Sequence, residues 1–231
     1  MNIEKELIMS ILKLTKQGSV LKEHVYKDAK VSREVALNLL KKLEEIKLIY
    51  LNEHFLSADD FQRLKLAVYA VKLGMDIENV CTFLSWQEFE KVTVMAFERN
   101  NYIVQKNLRF KFSGQKFEID IVGGKKPLLV CVDCKHWHRG ICPSSLKKIV
   151  EKQVERTFAL SVSLNSLAGK FGCVSWDKVK LVPVVLSLFP SRCKICNGVP
   201  VVSIFQLQDF LSQLPAYIER LKHLEKAYPI R

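Results

Sequence analysis

Phe117-Glu118-Ile119-Asp120-Ile121-Val122, then Gly123-Gly124, then Leu128-Leu129-Val130-Cys131-Val132-Asp133-Cys134-Lys135, carries most of the structural information in this chain. The dense apolar residues predict two core β-strands joined by a short turn. Asp120, Asp133 and Lys135 nevertheless stand inside them. A buried carboxylate costs several kcal/mol unless it is paired or binds a metal. Two acids and a lysine within such strands therefore point to a metal site acting on an anionic substrate. A buried salt-bridge cluster is the plainer alternative.

The chain has 231 residues, is 48% hydrophobic and carries a formal net charge of +12. That length allows one or two domains with a sizeable core. Residues 1–100 are neutral by count, so residues 101–231 supply the whole +12. The excess shares its half of the chain with the odd acids, and a positive field there would draw in a phosphate backbone. No apolar run is long enough to span a bilayer. The start, Met1-Asn2-Ile3-Glu4-Lys5, lacks the plan of a signal peptide. The expected location is the cytoplasm, with no membrane partner. Seven irregularly spaced cysteines argue against a secreted disulfide scaffold. Cys81, Cys131, Cys134 and Cys173 lie in apolar surroundings and read as core residues.

Helical spacing predicts an amphipathic helix from Ile3 to Leu14, broken by Gln17-Gly18-Ser19, and a short helix from Leu21 to Ala29. A third helix is expected from an N-cap at Ser32 to Ile46, with Val35, Ala36, Leu39, Leu40, Leu43 and Ile46 as its apolar face. Leu48–Leu51 and His54–Ser57 read as a hairpin. Three helices and a hairpin resemble a winged helix-turn-helix over residues 1–57. That resemblance makes the third helix the recognition helix and Arg33, Asn38 and Lys41 its DNA-contacting candidates. Glu34, Glu44 and Glu45 offset the lysines, so a protein-docking role stands beside DNA contact. Residues 58–75 form an expected connecting helix, with Ser57 and Asp60 as a capping box. A second domain then covers 76–231.

In that domain the pattern predicts a helix from Trp86 to Arg99, a strand from Tyr102 to Phe112, the two strands quoted above and a long helix from Ser144 to about Leu160. A strand at Lys180–Phe189, a short one at Val201–Ile204 and a closing helix or helix pair at Leu207–Leu224, interrupted by Pro215, follow. The order is that of an α/β sandwich. The run Phe89-Glu90, Asn101-Tyr102-Ile103-Val104, Glu118-Ile119-Asp120 and Asp133-Cys134-Lys135-His136-Trp137 resembles the PD-(D/E)xK, or restriction-endonuclease-like, nuclease superfamily. The likeness is to its Mrr-like and archaeal Holliday-junction-resolvase-like branches. It covers residues 84–160 and implies an αβββαβ core. Asn101 replaces the usual Gly, Ile119 the usual Pro, and Asp133 the more frequent Glu.

The resemblance implies a catalytic set of Glu90, Asp120, Asp133, Lys135 and Gln153. Residues i and i+2 of a strand share a face, so Asp133 and Lys135 point the same way. The two aspartates, the Cys134 backbone carbonyl and Glu90 would hold Mg²⁺ or Mn²⁺, hard cations that favour oxygen. Lys135 would orient water or stabilise charge in phosphoryl transfer. Glu88 competes with Glu90 for the helical role, but two residues apart on a helix they do not share a face. Glu118 reads equally as a metal neighbour or as a salt bridge to Lys116, Lys111 or Arg109. His136, Lys147, Lys148, Lys152 and Arg156 are candidate phosphate contacts, or else a solvated basic face. Cys193 and Cys196 look like half a zinc knuckle, which His138 and Cys142 could complete; a local disulfide or free thiols are the alternatives.

These residues imply a metal-dependent DNA endonuclease for duplex or branched DNA, in repair, recombination or restriction. A homodimer is the default. The alternatives are a non-catalytic DNA-binding regulator that retains the fold, and a nuclease subunit that needs a repair or helicase partner.

Overall fold

The computed structural model describes residues 3–76, 79–80, 82–135, 143–173 and 175–227. Its contacts divide it into two compact units, 1–92 and 93–231, a division later than the 75/76 boundary read from sequence.

In the first unit, helices α1 (Ile3–Leu14), α2 (Lys22–Asp28) and α3 (Arg33–Glu45) form where the apolar spacing placed them. Ser32 takes the N-cap position of α3 but makes no capping bond with its side chain. The buried stripe of α3 is narrower than expected. Ala36, Leu40 and Leu43 are buried, whereas Val35 and Ile46 are 40% and 48% exposed. A 13-residue helix covering a small core needs one i, i+4, i+7 line, and its flanks stay wet. Strands β2 (Tyr50–Leu51) and β3 (Phe55–Ser57) make the expected hairpin. Strand β1 (Val20–Leu21), unforeseen, joins them in the order β1-β3-β2, so Leu21 belongs to a strand and not to the helix after it. Helix α4 (Asp60–Lys72) is capped two residues later than the Ser57/Asp60 expectation. Asp59 accepts from the Gln62 amide, and Gln62 closes the box by accepting from the Asp59 amide.

Helix α5 (Trp86–Arg99) runs across the contact boundary and has the bounds expected from its sequence, ending just before Asn100-Asn101. The Tyr102 amide donates to the Phe97 carbonyl at 3.1 Å and the Asn101 amide to the Glu98 carbonyl at 2.9 Å. This is a Schellman stop, which needs a left-handed residue, and Asn101 supplies it at φ 61°. After glycine, asparagine is the residue that best tolerates that conformation.

The second unit is built on one sheet. Strands β4 (Ile103–Phe112), β5 (Gln115–Lys125) and β6 (Leu128–Lys135) are antiparallel neighbours. Helix α6 (Pro143–Leu167) then crosses over, and β7 (Lys178–Ser187) lies parallel to β6. Gly123 and Gly124 prove to be strand rather than turn. A Cβ on Gly123 would come within 2.3 Å of the Phe97 ring, so the glycine lets the helix lie close to the sheet. Apolar residues of β4, β5 and β6 pack with Ala159, Leu160 and Leu164 of α6 in the core.

The far edge of β7 is shared. Its first part pairs with β10 (Leu224–Ala227) and its last part with β9 (Val199–Ser203). Pro183 falls between the two partners. The Lys180 amide donates toward β6, so by alternation the nitrogen of Pro183 faces the gap, where no donor is required. Strands β8 (Ile195–Cys196) and β9 form a hairpin through Asn197-Gly198, both with positive φ. Helix α7 (Leu207–Tyr217) contains Pro215 without breaking there. It tightens into a 3₁₀ turn, Ile218–Arg220, and the chain leaves as β10 instead of continuing helical to Leu224. Among the described residues, no helix is long and apolar enough to cross a membrane.

Candidate active site

The acids meet where the sheet comes apart. The last pair between β5 and β6 is Ile121 with Val132, and the same register places Asp120 opposite Asp133. On the other edge of β5 the ladder with β4 runs through Lys106–Ile121 and Leu108–Ile119 but skips Asn107 and Asp120. Asn107 has φ 49°, a left-handed value inside a strand. Asp120 therefore lies at a distortion on both edges, a common setting for functional residues in sheets. Its Oδ2 accepts the Cys134 amide at 2.7 Å, filling the gap left by the parting strands. N–H and C=O of one strand residue leave on the same side, so the Cys134 carbonyl opens toward Asp120 as well.

Asp133 is 1% exposed, deep for a charged group. Two cations hold it. Lys135 Nζ hydrogen-bonds Oδ1 at 2.9 Å and lies equally far from Oδ2. Arg156 Nη1, from α6, donates to Oδ1 at 2.5 Å. The expected sharing of a face by Asp133 and Lys135 is thus realised. Arg156, read from sequence as a phosphate contact or part of a solvated face, is half-buried against an acid. The helix register turns it inward with Gln153, three residues earlier. Gln153 is fully buried and donates from Nε2 to the Cys131 carbonyl at 2.7 Å. Its Oε1 and Asp133 Oδ2 are buried acceptors with no hydrogen bond from the described residues. Burial raises the Asp120 carboxyl above its ordinary range, with the Asp133 charge adding to it. The Cys134 amide, Lys135 and Arg156 pull the other way.

The remaining site residues divide clearly. Glu90 is half-buried on α5, in the first unit. Glu88, its rival, is structural: it is buried against Arg63, and its Oε2 accepts the Ser85 amide at 2.6 Å. Glu118 is bound to Arg109 opposite it, at 3.0 and 3.3 Å. Lys147, Lys148 and Lys152 are exposed on α6, and Arg33, Asn38 and Lys41 on α3. His136, His138, Cys142 and Cys81 lie outside the described residues. Cys131, Cys134 and Cys173 are buried, as core residues should be. Cys193 and Cys196 are free thiols. Burial, then the charge of Cys193 and a hydrogen bond with it, raise the Cys196 thiol above its ordinary range.

Asp120, Asp133 and the Cys134 carbonyl offer oxygen donors only, a set suited to Mg²⁺ or Mn²⁺. A second cluster lies near the chain's end, without a sequence motif to announce it. Among the described residues, Glu219, His223 and Glu225 bring their ligand atoms within 4.8 Å of one another. There the buried Lys180 ammonium already bonds Glu219 and lies 2.9 Å from Glu225. It lowers both carboxyls and explains the cluster as a salt bridge without a metal. An apolar groove lined by Ile195, Val201, Phe210, Leu214 and Tyr217 shares no lining residue with the acid pair.

No family model matches the chain. An uncharacterized protein of Archaeoglobus fulgidus is 26% identical over 136 residues, which cover 58% of this chain and 95% of that one. Two crystal structures overlap loosely. A protein of unknown function, AF1548, gives a TM-score of 0.30 at 10% identity over 43% of this chain. VC1899 from Vibrio cholerae gives 0.35 at 16% identity over 94% of it. The overlaps span 46% and 52% of those two chains, about half of each.

Proposed function

We propose that the chain is a divalent-metal-dependent DNA endonuclease of the PD-(D/E)xK superfamily, with a winged helix at its N-terminus. One observation carries the reading. Two carboxylates on adjacent strands flank the point where those strands part, and a lysine two residues beyond the second acid touches it. The order α5-β4-β5-β6-α6-β7 supports the nuclease core, and three helices with the β1-β3-β2 sheet support the winged helix.

In this reading Asp120, Asp133 and the Cys134 carbonyl hold Mg²⁺ or Mn²⁺. When bound, the ion polarises the scissile phosphate and lowers the pKa of its water. Lys135 holds its ammonium beside the reacting phosphate oxygens and steadies the charge that grows there. Gln153 fixes the α6 turn over β6 through the Cys131 carbonyl. Lys147, Lys148 and Lys152 attract the backbone, and Arg33, Asn38 and Lys41 present the winged helix to duplex or branched DNA.

A second reading rests on Lys135 and Arg156, which already neutralise Asp133. A non-catalytic DNA-binding protein would keep such a cluster as structure. Incubation with plasmid and branched duplexes in Mg²⁺ or Mn²⁺ decides between them. The nuclease cuts, and Asp133→Ala slows it by at least about 100-fold. If wild type and Asp133→Ala behave alike, the enzyme reading is lost and the second one stands.

A further inference from the structure

Asp133 Oδ1 is contacted by Lys135 and Arg156, but the two cations differ in how they are held. Lys135 belongs to the same strand face as Asp133. Arg156 reaches down from α6 with its side chain 30% exposed. Lys148 and Lys152 precede it at helical spacings of eight and four residues, and both are exposed. Those three positions form one line along the helix. A change of rotamer would therefore move the guanidinium from Asp133 into a basic stripe. Gln153 anchors the intervening turn, so the helix itself need not move.

We propose that Arg156 is a positioning residue that competes with the divalent ion for Asp133 and, once displaced, takes hold of a phosphate oxygen of the nucleic acid. This rests on the nuclease reading above. A guanidinium at 2.5 Å and a dication on the same buried carboxylate repel each other strongly. Freed, the planar fork of an arginine matches a phosphate better than any other side chain does. Metal and substrate would then favour each other's binding, because each stabilises the swung-out arginine.

The test is Mn²⁺ binding by calorimetry to wild type, Arg156→Met, Arg156→Lys and Asp133→Asn, with and without a short duplex, alongside thermal melting. Arg156→Met should bind Mn²⁺ on the order of tenfold tighter than wild type in the absence of DNA. The duplex should tighten Mn²⁺ for wild type and lose that effect in the variant. Single-turnover cleavage should fall by about 100-fold. If Arg156→Met fails to fold, Arg156→Lys, which keeps charge but not the fork, should shift Mn²⁺ affinity in the same direction. Unchanged or weaker Mn²⁺ binding by the folded arginine variants, with binding lost in Asp133→Asn, overturns the competition and leaves the metal site standing. Mn²⁺ binding untouched by Asp133→Asn overturns both.

Discussion

Arg63 and Asp133 are both buried charges, one in each unit, and their surroundings differ in kind. Arg63 is 2% exposed, and all three of its side-chain nitrogens are engaged. Nε bonds Glu88, Nη1 donates to the Leu12 carbonyl at 2.7 Å and Thr15 Oγ1 at 2.6 Å, and Nη2 donates to the Phe83 carbonyl at 2.6 Å. Around Asp133 the balance is left open. Arg156 and Lys135 both bond Oδ1, Oδ2 has only the ion-pair approach of Lys135 at 2.9 Å, and Oδ2 and Gln153 Oε1 accept no hydrogen bond from the described residues. A closed polar network specifies a fold. An open one keeps acceptors in reserve, which is what a ligand site needs and a structural ion pair does not.

The largest effect expected from this contrast lies in the closed network. Arg63→Met should lower unfolding free energy by about 3–5 kcal/mol, because it strands a buried Glu88 and frees carbonyls at Leu12 and Phe83. Urea unfolding followed by circular dichroism measures it. A loss under about 1 kcal/mol would mean that water or rearrangement replaces the arginine, and that this network is no more closed than the other.

Gln153→Leu should do much less. The change removes the bond to the Cys131 carbonyl, worth about 1 kcal/mol, but also removes a buried oxygen with no hydrogen bond, whose burial costs a similar amount. Stability should stay within about 1 kcal/mol of wild type while DNA cleavage falls, and the two measurements together separate a site residue from a packing one. A large loss of stability would place Gln153 with Arg63, as part of a closed network.

The contrast also explains which features could be read in the sequence. Asp133 and Lys135 were legible because strand alternation alone puts i and i+2 together. The end of α5 at Arg99 was legible because Asn101, just beyond it, is one of the few residue types that tolerate left-handed backbone. The purpose of Glu88 was not, because its partner Arg63 lies 25 residues away and only packing brings them together. The bond from Arg156 to Asp133 was not legible, because a basic residue four positions after Lys152 looks like more of the same stripe until the helix register is known. The break at Asp120 left one trace, Asn107, a poor strand former in the middle of a strand. Strands β8 and β10 are too short to show a period, and Gly123-Gly124 imitates a turn because the ring that needs the space, Phe97, is on another element.

The smallest effect expected is opposite in sign and depends on pH. Burial raises the Asp120 carboxyl, so the folded chain holds that proton more firmly than the unfolded chain does. Stability from this group therefore falls as pH rises, beginning near the ordinary value of 3.8 and ending once the raised folded value is passed. At neutral pH the cost of the charge is fully present. Asp120→Asn removes the charge and keeps an oxygen for the Cys134 amide. In the absence of metal the variant should unfold at a higher urea concentration than wild type at neutral pH, and the gap should close in acid, where wild type is neutral too. Mn²⁺ should reverse the order by stabilising wild type alone, since a ligand that binds only the folded charged form adds to its stability. A variant less stable than wild type in metal-free neutral buffer would mean that Lys135 and Arg156 more than offset burial, making the acid pair as closed a network as the one around Arg63.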